Sequence, residues 1–332
     1  MTTNKPSAIS PTVDFDKDGV QHGFLKLPYS RDESAWGAVM IPITIVKNGD
    51  GPVALLTGGN HGDEYEGPIA LQKLALSLND SDVTGTVIIV PALNFPAFRA
   101  GTRTSPIDQG NMNRVFPGKV DGTVTEKIAD YFQRYLLPRS DYVLDIHAGG
   151  KTLDFVPFAA AHILADKDQQ AKCVAAMQAF AAPYSMMMLE IDAAGLYDTA
   201  AEEMGKIFVS TELGGGGTAT RRSVEIAETG VRNFLIHAGI LIGALVKRDS
   251  VMLDMPGDDC FITSANSGLI EPCIDLGEAV SKGDVIARVY DTERTGADPI
   301  EYRSNMDGIL SSRHFPGLIK TGDCVAVIAV KA

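Results

Sequence analysis

The stretch Gly58-Gly59-Asn60-His61-Gly62-Asp63-Glu64 follows the apolar run Val53-Ala54-Leu55-Leu56, so a histidine and a carboxylate stand three residues apart at the end of an expected strand. A second such run, Tyr142-Val143-Leu144-Asp145-Ile146, ends in His147-Ala148-Gly149-Gly150. Two imidazoles and one carboxylate, with a fourth position left to water, make the ligand set of hydrolytic zinc sites. His61, Glu64 and His147 are therefore the candidate ligands of one zinc ion per chain, and metal-assisted hydrolysis is the chemistry they imply. A bare His-x-x-Glu spacing recurs by chance. Its weight here comes from the adjoining glycines, the buried-type strand before it, and two further strand ends carrying polar groups.

One of those strand ends is Ser210-Thr211-Glu212, followed by Leu213 and the glycines Gly214 to Gly217. Glu212 is the candidate general base, because a strand-end carboxylate beside glycines faces substrate and can pass a proton from water to a leaving amine. Cations come from the long segment between Asn94 and about Gly122. Arg103 is placed to meet a developing oxyanion. Asn113 and Arg114 suit a substrate carboxylate, which a guanidinium fork matches in a bidentate manner.

The elements that must position these residues alternate. Strands are expected over about 36–46 and 53–57, from Val87 to Asn94, from Tyr142 to His147 and from Ile207 to Glu212. Helices are expected over Pro68 to Leu78, Thr125 to Leu137 (capped by Thr123 or Thr125), Lys167 to Phe180, Ala200 to Met204 and Arg222 to Leu245. Short apolar strands alternating with helices predict an α/β fold with a largely parallel sheet flanked by helices. In such sheets ligands bind beyond the carboxyl ends of the strands, which is where His61, Glu64, Asn94, His147 and Glu212 lie.

From about Val251 the pattern turns to short β segments with an internal repeat. Gly268-Leu269-Ile270 through Gly283-Asp284 is echoed by Gly308-Ile309-Leu310 through Gly322-Asp323 about forty residues later. Duplicated halves of this kind resemble the barrel-sandwich domains that carry biotin or lipoate. The segment Val289 to Asp307 contains no lysine to bear such a group, so a small all-β lid or assembly domain is expected. The division is residues 1–250 for a catalytic domain and 251–332 for the β domain, since single cores rarely grow past about 250 to 300 residues.

The chain has 332 residues and a net charge of −13, which disfavours nucleic acid and anionic membrane surfaces as partners. The stretch Met1 to Pro11 has no apolar core of signal-peptide length, and no 18-residue apolar run occurs. A cytoplasmic location is expected. Cys173, Cys260, Cys273 and Cys324 have neither Cys-x-x-Cys spacing nor neighbouring histidines, so they are read as reduced and mostly buried. His22, His162 and His237 are read as surface, strand or structural residues. Asp63 and Asp145 are candidates to orient the ligating imidazoles.

Taken together, Gly-Gly-x-His-Gly-x-Glu, Thr-Arg, Asn-Arg-x-Phe, Asp-x-His and Glu-x-Gly resemble, in order from about Pro52 to Gly217, the succinylglutamate desuccinylase and aspartoacylase family. That family's catalytic domain is similar to zinc carboxypeptidases, and its C-terminal β domain is similar to the one expected here. The resemblance implies zinc on His61, Glu64 and His147, Glu212 as base, Arg103 at the oxyanion, and Asn113 with Arg114 at an α-carboxylate. Asn111 departs from the pattern, because aspartoacylases carry an acid there. Two longer stretches, Asp108 to Arg114 and Arg313 to Gly317, look most like the branch that deacetylates N-acetyl-diaminobutyrate in ectoine breakdown.

The implied partner is a small N-acyl amino acid, and self-association is left open. Where aspartate-directed members place an arginine before the base-bearing strand, this chain has Asp198, Glu202 and Glu203. Glu202 is thus a candidate contact for a substrate side-chain ammonium, which such a wall favours over a second carboxylate. The rival readings are an aspartoacylase or desuccinylase, a peptide-cleaving metallocarboxypeptidase, and a non-enzymatic metal-binding or carrier protein. The last leaves Glu212 and Arg103 without work.

Overall fold

Four parallel strands form the centre of the molecule: Gly85–Val90, Val53–Gly58, Tyr142–His147 and Ile207–Glu212, adjacent in that order. The computed structural model describes residues 5–189 and 194–332, so the first four positions of the Met1 to Pro11 stretch lie outside it. The central strands are almost wholly buried, as continuous apolar runs in a parallel sheet require. Their side chains alternate between two cores. Leu56, Leu144 and Val209 face the helices Glu66–Ser77, Lys167–Phe180 and Arg221–His237. Leu55, Val143 and Phe208 face Phe132 and Tyr197 on the other side.

Antiparallel strands extend the sheet at both edges and make it mixed. Gly19–Pro28 and Ala38–Asn48 lie on one side, the latter pairing with Gly85–Val90. On the other side Phe158–Ala161 runs against Ile207–Glu212, and Tyr184–Met187 leads to Val251–Asp254. Val251–Asp254 pairs in turn with Cys324–Lys331, so hydrogen bonding is continuous into the C-terminal strands.

The helix expected from Thr125 to Leu137 is regular over Val124–Tyr131, with Thr123 and Glu126 forming its capping box, then loosens into a π turn over Phe132–Leu136. The last long helix stops at His237 rather than Leu245, because Gly239 takes a left-handed φ of 72° that ends the helical path. The helix expected from Ala200 begins earlier, spanning Tyr197–Glu202. The long loop after Asn94 holds a short helix, Phe95–Ala100.

The internal repeat is structural. Each half lends a strand to the other: Gly268–Pro272 pairs with Leu318–Ile319, and Gly308–His314 with Ala279–Val280. The two Gly-Asp turns match, with Gly283 and Gly322 at φ of 95° and 93°. In each, an aspartate accepts a backbone N–H at 2.8 Å, Asp284 from Ser281 and Asp323 from Lys320. Gly268–Pro272 and Leu318–Ile319 join Val285–Tyr290 and Ile300–Arg303 in a separate four-stranded antiparallel sheet, while Gly308–His314 and Ala279–Val280 end the large one. All four cysteines are unpaired; Cys173 and Cys260 are buried, Cys324 is half-buried, and Cys273 is exposed.

Candidate metal centre and active site

Parallel pairing sets the site. Gly58 lies opposite Ile146, and Glu212 opposite His147, so all three strands end at one level. The chain turns sharply after each strand, and two glycines make this possible. A Cβ on Gly62 would lie 2.0 Å from the Ala97 carbonyl carbon, so only glycine lets the Phe95–Ala100 helix pack on the His61 turn. A Cβ on Gly215 would lie 1.9 Å from the Leu153 carbonyl oxygen, which fixes the glycine run after Glu212 against the hairpin after His147.

His61 Nδ1 lies 2.6 Å from Glu64 Oε1, and His147 Nδ1 lies 2.9 Å from Glu64 Oε2. The two imidazoles are 5.2 Å apart between centroids. All three residues are buried, and one ligand atom from each falls within 4.8 Å of the others. The other face of His147 is committed, since its Nε2 lies 2.7 Å from Asp145 Oδ2. Asp145 is held by Thr57 Oγ1 at 2.6 Å and Asn60 Nδ2 at 2.8 Å. Burial opposes charge on Asp145, but His147, Thr57 and Asn60 outweigh it and hold its carboxyl below the usual range. A carboxylate behind a ligating histidine selects the tautomer that presents the opposite nitrogen to a metal.

Burial also opposes charge on Glu64, yet the two imidazoles hold its carboxyl well below the usual range. For His61 burial wins and keeps the ring neutral, the form a ligand needs. For His147 the facing carboxylates Asp145 and Glu64 outweigh burial and raise its pKa, a demand for positive charge between the side chains that a divalent cation meets. The residues therefore fit a metal ion, with two Nδ1 donors and one carboxylate converging, His147 backed by Asp145, and His61 Nε2 buried without a hydrogen-bond partner.

A cavity of about 130 Å³ opens on this group, and His61, His147, Glu212, Arg103, Asn113 and Arg114 all border it. Seven of the eight residues singled out from sequence thus meet at one place, Glu64 lying just beneath the cavity. Arg103 is half-exposed, with Nη1 3.7 Å from Glu64 Oε1. Asn111 accepts the Asn113 N–H at 3.1 Å and so caps the turn that carries Asn113 and Arg114, a positional role that needs no charge.

Glu202 does not border this cavity. Its Oε1 lies 2.9 Å from His162 Nδ1 in a neighbouring chamber of about 250 Å³. His162 is thus a buried residue with an acidic partner forty positions away, which local spacing did not reveal. Asp198, from the same acidic stretch, does border the cavity. Asp63 is directed away from the imidazoles; its Oδ2 accepts the Lys151 N–H at 2.8 Å and steadies the hairpin after His147. Thr57 and Asn60 carry no such signal in the sequence, since Asn60 is the variable position of Gly-Gly-x-His-Gly-x-Glu and Thr57 precedes that motif. His22 pairs with Thr44 across two strands, and His237 closes its helix.

The C-terminal strands reach the same hairpin. Gly308–His314 pairs with Leu153–Phe155, the Phe315 N–H donates to Thr152 O at 2.9 Å, and Phe315 packs on Gly216.

A mixed sheet ending in a buried His, Glu, His cluster that could hold a metal ion, with an acid beside it, defines a hydrolase of the carboxypeptidase-like class. Residues 50–238 match the succinylglutamate desuccinylase/aspartoacylase catalytic domain, and the chain belongs to that family. It is 60% identical to the N-alpha-acetyl-L-2,4-diaminobutyric acid deacetylase of Halomonas elongata over 327 residues, 98% of this chain and 96% of that protein. The product-bound structure of the ectoine utilization protein EutE (DoeB) from Ruegeria pomeroyi is 65% identical, with a TM-score of 0.97 over 98% of this chain and all of that one. A succinylglutamate desuccinylase/aspartoacylase from Rhodobacter sphaeroides is 37% identical, with a TM-score of 0.94 over 98% and 99% of the two chains.

Proposed function

We propose that this chain is a zinc-dependent amidohydrolase that removes the acetyl group from N-acetyl-L-2,4-diaminobutyrate, in the cytoplasm and in the breakdown of ectoine. The observation that carries the reading is full-length identity of 60% to a deacetylase of that substrate. The converging donors of His61, Glu64 and His147 support it.

His61, Glu64 and His147 would hold zinc, which when bound would supply Lewis acidity toward the acyl carbonyl and toward water. Glu212, across the ladder from His147, takes the proton from the attacking water and delivers it to the leaving amine. Arg103 meets negative charge as it develops on the acyl oxygen, an interaction stronger in the transition state than in the ground state. Arg114 and Asn113 hold the α-carboxylate, so the amide sits over Glu212. In this reading residues 1–250 form the catalytic domain, and residues 251–332 brace its cavity hairpin through Gly308–His314.

The test is acetate release from a panel of N-acyl amino acids, with and without chelator, beside amino-acid release from peptides. Chelator-sensitive cleavage of N-acetyl-2,4-diaminobutyrate is expected. Preference for N-acetylaspartate or N-succinylglutamate would return the chain to the other branches of its family, and peptide trimming would make it a carboxypeptidase.

A further inference from the structure

Arg114 and Asp198, of opposite charge, both border the cavity, and their chain segments are tied to each other. Asn113 and Arg114 sit on a short turn whose continuation, Val115 and Phe116, is tied to the segment before Asp198. Asn113 Oδ1 accepts the Tyr197 N–H at 2.9 Å, and the Phe116 N–H donates to Gly195 O at 3.0 Å. The Phe116 and Tyr197 rings stack at 4.9 Å between centroids. Tyr197 is fully buried and also meets Phe132 and Phe208 edge-on. Asp198 therefore keeps a set distance from Arg114.

Asp198 is 6% exposed and borders the cavity. Its Oδ1 accepts hydrogen bonds from the backbone N–H and the hydroxyl of Thr199, which fix the plane of the carboxylate. Leu153, Phe155, Met188 and Phe208 give the cavity its apolar lining, and Asp198 also borders the adjoining chamber. Apolar walls discriminate weakly between side chains of equal size, whereas a desolvated charge discriminates strongly. Glu202 borders the adjoining chamber and not this cavity, whereas Asp198 borders both.

We propose that Asp198 is the specificity-determining residue of the site, pairing with the side-chain ammonium of the substrate while Arg114 holds its α-carboxylate. The assignment rests on the proposed deacetylase function. It explains selection for a short cationic N-acyl amino acid, since a second carboxylate at that position would face Asp198.

The experiment compares kcat/KM for N-acetyl-2,4-diaminobutyrate and N-acetylnorvaline, which has a methyl group in place of the ammonium, in the wild type, Asp198→Asn and Glu202→Gln. The wild type is expected to prefer the cationic substrate by about 100-fold or more, the scale of a buried charge pair. Asp198→Asn should lose most of that preference while keeping N-acetylnorvaline cleavage within about threefold. Glu202→Gln should keep the preference. A wild-type preference below about threefold overturns the assignment without recourse to any variant. Equal losses on both substrates in Asp198→Asn, or loss of preference in Glu202→Gln instead, overturn it as well. A wild type that cleaves neither substrate overturns the proposed function and the assignment with it. Cleavage of both at a ratio unmoved by Asp198→Asn overturns the assignment alone.

Discussion

Glu212 stands directly opposite His147 in the parallel ladder, with the Leu213 N–H donating to the His147 carbonyl at 3.1 Å. Two strands more than sixty residues apart in sequence thus deliver the proposed proton acceptor and a metal-ligand candidate to neighbouring positions. The pair separates two duties that mutation can tell apart.

Glu212→Gln keeps the shape of the side chain and removes its basicity. The variant is expected to bind metal at the wild-type ratio while kcat falls by at least about 100-fold, the usual scale of general base catalysis. Metal content by elemental analysis and steady-state kinetics measure the two effects. A fall of less than about tenfold would assign the proton transfer to another group.

For the metal, His147→Ala should lose most of its zinc. Asp145→Asn should retain the site but bind zinc about 10- to 100-fold more weakly, because the amide no longer selects the tautomer that presents Nδ1. Competition with a chromophoric chelator gives both affinities. Full metal and activity in His147→Ala would remove it from the ligand set.

Arg114→Ala tests the carboxylate contact. KM should rise by more than kcat falls, since the interaction is made in the ground state and the transition state alike. An effect confined to kcat would place Arg114 at the reacting carbonyl.

The loop that carries Arg114 predicts a pH effect. Asp108 accepts the Thr125 N–H and hydroxyl, each at 2.7 Å, and the Gly110 N–H at 3.1 Å. Burial opposes charge on Asp108, but these bonds outweigh it and hold its carboxyl below the usual range. Its contribution to stability is therefore present above the unfolded pKa of about 4 and lost as pH falls through the lower folded value. Asp108→Asn should cost about 1 kcal/mol at pH 7, a modest figure because the group is half-exposed. Urea midpoints at pH 7 and near pH 3 check this, and a gap that fails to narrow in acid contradicts the assignment.

Much of the site was legible in the sequence because the elements that build it are local. An apolar run reads as a buried strand, a glycine pair as a sharp turn, and a polar residue between them as a group at a sheet end. His61, Glu64, His147 and Glu212 follow from that logic without knowledge of their partners. The π turn after Tyr131 and the stop at His237 were less legible, since helix ends depend on packing and on single backbone angles.

Partnership was decided by tertiary structure alone. Strand register brings Thr57 and Asn60 to Asp145, across more than eighty residues, and so gives His147 its orientation. Helix packing keeps Glu202 on His162 and away from the cavity, while Asp198 reaches both the cavity and that chamber, although the two acids lie one helical turn apart and read alike in the chain. Local sequence states which groups a segment carries. Which group each one faces depends on long-range contacts whose geometry exists only when the sheet and its covering helices close together.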